Sequence, residues 1–108
     1  MNSNWVKGQI NFREDSEGIE CELCEFSHYL QKKHNLSIRE PEYQSGLCKE
    51  LRVVALGEGI MLHATQIDAA NNSLYLFINS ITHPELARKL KESDLDLKTA
   101  FSDYDFDN

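Results

Sequence analysis

Ile60-Met61-Leu62-His63-Ala64-Thr65-Gln66-Ile67, then Asp68-Ala69-Ala70-Asn71-Asn72, then Leu74-Tyr75-Leu76-Phe77-Ile78-Asn79-Ser80-Ile81 is the stretch that decides the fold. Two strand-favouring runs flank a polar, Asn-containing break, the pattern of a β-hairpin. The strands are expected near 60–68 and 73–81. Leu74 to Ile78 is apolar at every position, so the second strand is expected inside a sheet, covered by helices on at least one face.

Upstream, residues 5–13 alternate. Val6, Gly8, Ile10 and Phe12 share one side, and Lys7, Gln9, Asn11 and Arg13 the other, as in a half-buried strand. Between this strand and the hairpin, two helices are expected. The first spans 19–34: Ile19, Leu23, Phe26 and Leu30 recur at spacings of four, three and four, and Lys32 and Lys33 sit where the helix dipole favours cations. Ile19, Cys21 and Leu23 also alternate, which leaves a strand reading open for 19–24. Asn35 suits a left-handed cap, with Leu36 folding back on the last turn. The second helix is expected over 41–56, opened by Pro41 and lined by Tyr43, Leu47, Leu51 and Val54. Gly57-Glu58-Gly59 then reads as its stop. Gly46 and the β-branched Val53-Val54 weaken this helix.

Downstream, Thr82 and Glu85 form a capping-box pattern around Pro84, and a helix is expected over 83–93 with Leu86 and Leu90 facing the core. The fold class is therefore α+β: a small antiparallel sheet with helices on one face, built as one domain over residues 1–108. Residues 102–108 are set apart as an acidic and aromatic tail, either flexible or docked by its rings on the domain's own core.

Composition narrows the function. Eighteen Asp and Glu against eleven Lys and Arg give a formal charge of −7 on 108 residues, with 41% apolar residues. Such a domain repels nucleic-acid backbones and anionic lipid and attracts basic surfaces. Apolar stretches such as Val53 to Leu56 are far too short for a bilayer. Met1 to Trp5 shows no basic region followed by an apolar run. A soluble, cytoplasmic protein with no nucleic-acid or membrane partner is expected. The three cysteines are expected to be reduced thiols.

Cys21-x2-Cys24-x3-His28-x5-His34 is the one run with metal-ligand residue types. Zinc favours such ligands in tetrahedral fours, but this spacing matches neither a zinc knuckle nor a finger. The expectation is ordinary thiols and surface histidines, with no cofactor and no metal. As a redox pair, Cys21 and Cys24 lack the βαβ context and carry Glu20, Glu22 and Glu25 where a thiolate needs positive charge. Cys48 with His63 or His83 has no nucleophile elbow or oxyanion-forming glycines around it, so no enzyme is expected. Asp103-x-Asp105-x-Asp107 lacks the glycine and distal glutamate of a calcium loop.

The acidic groups remain. Glu14, Asp15 and Glu17 open one cluster. Asp103, Tyr104, Asp105, Phe106 and Asp107 close the chain, with carboxylates interleaved with rings that also include Phe101. Rings supply desolvated contact area and carboxylates supply steering. In size, charge and lack of catalytic apparatus the chain resembles immunity proteins that neutralise basic nuclease toxins, and small phage-encoded inhibitors. This likeness is one of composition and covers no motif. The expected function is a protein-binding inhibitor that covers the cationic cleft of a basic toxin or nuclease through these eight residues. An acidic secretion chaperone or adaptor, dimeric through a symmetric apolar interface such as the open side of the hairpin, is the alternative, and a zinc-stabilised interaction module the third. Whether the protein is a monomer or a dimer stays open.

Overall fold

The alternation that opens the chain sets the architecture. In the computed structural model, which describes residues 4–12, 16–45, 51–68 and 71–106, Val6, Ile10 and Phe12 are buried while Trp5, Lys7, Gln9 and Asn11 are exposed along strand β1 (Trp5–Phe12). Helix α1 (Ser16–Lys33) follows, then strands β2 (Glu42–Ser45), β3 (Leu51–Gly57), β4 (Ile60–Asp68) and β5 (Asn71–Asn79). Helices α2 (Pro84–Glu92) and α3 (Leu97–Ala100) end the order. This is the α+β class read from the sequence. The sheet is antiparallel in the order β1-β5-β4-β3-β2, so α1 carries the chain from one edge to the other.

The sheet buries one face. Register lines up Ile10, Leu74 and Ala64 in one row and Leu76, Leu62 and Ala55 in the next, all shielded from solvent. Against them lie Leu23, Phe26 and Leu30 of α1, Ala87 and Leu90 of α2, and Leu97, Ala100 and Phe101. Helix α1 packs across β3, β4 and β5, while α2 covers β1 and β5 and α3 covers β1. Gly8 lets α2 come close: a Cβ there would lie 2.6 Å from Leu90 Cδ1 and 2.9 Å from Leu97 Cδ2. Among the described residues no helix is long and apolar enough to cross a membrane.

The hairpin is as read, with Leu76 paired to Leu62 and β5 inside the sheet; residues 69–70 of its turn lie outside the described residues. Residues 19–24 are helical, which closes the strand alternative. Asn35 takes φ 55°, and the Leu36 amide donates back to the Leu30 carbonyl at 3.4 Å, ending α1 as expected.

The expected helix over 41–56 does not form. Glu42–Ser45 and Leu51–Gly57 are paired strands, with Tyr43 opposite Val53 and Ser45 opposite Leu51. The 3.6-residue spacing of Tyr43, Leu47, Leu51 and Val54 competes with a two-residue alternation through Leu51, Val53, Ala55 and Gly57. The β-branched pair and the unsatisfied edge of β4 decide for the second. Gly57-Glu58-Gly59 is accordingly a hairpin turn, with Gly57 opposite Ile60 and Gly59 at φ 78°. The Thr82–Glu85 capping box is also absent. His83 occupies the N-cap without a side-chain capping bond, and the Thr82 hydroxyl donates instead to the Asn79 carbonyl at 3.3 Å. Pro84 does open α2.

Candidate acidic interface

Where α1 meets the terminal segment, a cluster of rings holds a cluster of carboxylates. Phe26 lies within 5.1–5.8 Å, centroid to centroid, of Tyr29, Phe101, Tyr104 and Phe106. Phe101 is fully buried and Phe106 is 5% exposed. Of the two readings of the terminal segment, docking on the core is therefore the one that holds as far as Phe106. Its rings have more apolar area to bury on α1 than water would tolerate at a chain end. Of the expected anchors, Phe106 is unavailable to a partner, and Asp107, Glu14 and Asp15 lie outside the described residues. Glu17 falls in the first turn of α1.

Two tyrosines tie this segment down. The Tyr104 hydroxyl donates to Glu22 Oε2 at 2.5 Å, although Glu22 is itself only 4% exposed. Burial, then this bond and the charges of Glu22, Glu25 and Asp105, push the Tyr104 phenol well above its ordinary range, so it stays a donor. The Tyr29 hydroxyl donates to Asp103 Oδ1 at 2.6 Å, and burial followed by Asp103 raises its pKa likewise. In return the Tyr29 bond holds the Asp103 carboxyl below the usual carboxylate range. Lys33 Nζ stands 3.7 Å from Asp103 Oδ2, so this end of the segment is partly neutralised.

The acidic character is therefore concentrated at the other end, on Glu25 and Asp105. Both are exposed, and both act electrostatically on the half-buried Tyr104. Glu22 and Tyr29 are the neighbours of the segment that sequence reasoning did not pair with it. Their signal was the amphipathic register of α1, which places Glu22, Phe26 and Tyr29 along one side, but the pairing spans 82 and 74 residues of chain.

The metal-type residues do not converge. Cys21 and His28 are exposed on α1 and Cys24 is half-buried. His34 lies past the helix end with its ring against Phe101 and Tyr29, each at 5.6 Å. Burial lowers its pKa, and Lys89 and Lys33 add to the effect against Asp103. Among the described residues no three His, Cys, Asp or Glu side chains are grouped to hold a metal ion. The hydrolase candidates are scattered too. His63 lies on the open face of the sheet with its ring 5.9 Å from Tyr75, and His83 Nε2 bonds the Glu58 carbonyl oxygen at 2.9 Å. Cys48 lies outside the described residues.

The open face of the sheet, which includes the open side of the β4–β5 hairpin, carries a second surface. Register sets Lys7, Phe77, Met61 and Leu56 side by side in one row, and Gln9, Tyr75, His63 and Val54 in the next. Lys7 Nζ lies 4.7 Å from the Tyr75 ring centroid. Comparison of the chain with family models, with curated proteins and with solved structures gives no match.

Proposed function

We propose that this chain is a cytoplasmic protein-binding inhibitor of the immunity type, which covers the cationic cleft of a basic toxin or nuclease. The observation that supports the reading is the seating of exposed Glu25 and Asp105 beside Tyr104 on a ring-packed base. Carboxylates held on a packed base lose little freedom on binding, so they cost less to order than acids on a loose tail. The net charge of −7 would steer a basic partner toward the molecule at long range, and the local acids would set orientation. Half-buried Tyr104 adds its remaining exposed area to the same patch. Phe101 and Phe106 act indirectly, by fixing the segment.

Deleting the last seven residues would remove core, so charge reversal is the cleaner test. Wild-type protein and the Glu25→Lys/Asp105→Lys variant are immobilised and challenged with host extract and with a panel of basic nucleases. The expected result is a basic protein bound stoichiometrically and inhibited by wild type. The double variant should bind it at least about tenfold more weakly, and so should wild type when salt rises from 50 to 300 mM. Binding that is indifferent to both changes defeats the proposal.

A further inference from the structure

We propose that the open face of the sheet is a dimer interface, and that its occupant is a second copy of this chain packed sheet against sheet. The face is built as such an interface would be. Phe77, Met61 and Leu56 in one row and Tyr75, His63 and Val54 in the next form an apolar centre, with Trp5 (44% exposed) at one end. A polar border surrounds it: Asn11 and Ser73, bonded to each other at 2.8 Å, with Gln9 and Asn79. Lys7 lies over the Tyr75 and Phe77 rings, at 4.7 and 6.0 Å from their centroids.

Charge selects the occupant. Among the described side chains of β1, β3, β4 and β5 on this face, none is a carboxylate, although the chain has eighteen. Glu42, opposite Val54, belongs to the edge strand β2. Carboxylates stand only at the edge of its described centre, Glu58 beside Trp5, Leu56 and Met61 and Asp94 beside Trp5 and Lys7, so a basic partner seated on the centre meets no opposite charge there, and a polyanion meets the repulsion of the whole −7 charge. A second copy meets neither obstacle. Stacked sheets lie about 10 Å apart and helices about 10 Å behind each sheet, which separates the two acidic helical layers by roughly 30 Å. At physiological ionic strength that is three to four Debye lengths, so mutual repulsion is screened. Strands β1, β3, β4 and β5, seven to nine residues long and about 4.8 Å apart, present roughly 530 Å². Two copies then bury about 1,100 Å², just above the roughly 1,000 Å² that a specific interface needs.

The test is molar mass by light scattering and sedimentation from 1 to 100 μM. Wild type should rise from 12.4 kDa to twice that mass, and no weaker in 500 mM than in 150 mM salt. The emission of Trp5, the one tryptophan in the chain, should shift to the blue over the same range. Phe77→Glu should stay at 12.4 kDa with an unchanged far-ultraviolet spectrum. If that variant does not fold, Leu56→Glu, at a 37% exposed position, should weaken association at least tenfold. A chain of 12.4 kDa at every concentration with constant Trp5 emission overturns the proposal. So does a dimer that both variants leave intact, or Trp5 emission that responds to single-stranded oligonucleotide instead of protein concentration. Loss of this dimer leaves the acidic-face reading standing, because the two surfaces lie on opposite layers.

Discussion

Phe26 is the residue through which the C-terminal segment is held. It is fully buried, and four other rings surround it, three of them edge-on or tilted in the geometry aromatic quadrupoles favour. Truncation would remove its buried area, leave a cavity and release Tyr104 and Phe106 together. Phe26→Ala should therefore cost about 3–5 kcal/mol, a large share of the stability of a domain this size. The midpoint of urea unfolding measures it, and a loss below about 1 kcal/mol would show that the ring cluster is loosely packed. His34 makes a second claim at this scale. Burial lowers its pKa in the folded state, so the unfolded chain binds its proton first as pH falls. The stability it contributes is present above about pH 6.5, the ordinary histidine value, and is lost on acidification below it. Unfolding followed from pH 7.5 to 5.5 should show falling stability, and His34→Gln should flatten that slope. Asp103, held low by Tyr29, adds a loss of the same sign only below about pH 4.

At the level of elements, the β3–β4 hairpin is where the sequence reading and the structure part. Gly59 turns at φ 78°, and a side chain there would also run into Thr82. Both facts make glycine necessary at this position, since a branched residue pays for the left-handed conformation as well as for the collision. Gly59→Val should destabilise by about 2 kcal/mol or more, read as a shift in thermal midpoint of roughly 8 °C or more. An unshifted midpoint would mean the turn can be rebuilt. Helix α1, by contrast, was visible in its stripe of Leu23, Phe26 and Leu30, and its stop at Asn35 in the preference of Asn for the left-handed region. The stretch 41–57 was misread because a short amphipathic run satisfies both periods, and only the demand of β4 for a neighbour breaks the tie.

Over the whole molecule, one acidic cluster and the apolar centre of the sheet lie on opposite layers: Glu22, Glu25, Asp103 and Asp105 gather where α1 meets the terminal segment, while on the open face the described side chains of β1, β3, β4 and β5 include no carboxylate and Glu58 and Asp94 stand at its edge. This separation permits two independent associations with opposite salt dependence, a basic partner weakened by salt and a self-association that salt does not weaken. The α+β class, the β4–β5 hairpin, the burial of alternate residues in β1 and the register of α1 follow from local periodicity, because each concerns neighbours a few residues apart. Which rings are core and which acids are presented was decided only by folding. Phe101 and Phe106 look like exposed anchors in a linear chain, and become interior because α1, more than seventy residues earlier, supplies the apolar surface that covers them. Tyr75 and Phe77 look like core in an unbroken apolar strand, and lie on the open face because the described helices all pack on the other side. Burial is a property of what arrives from elsewhere in the chain, and no local pattern encodes it.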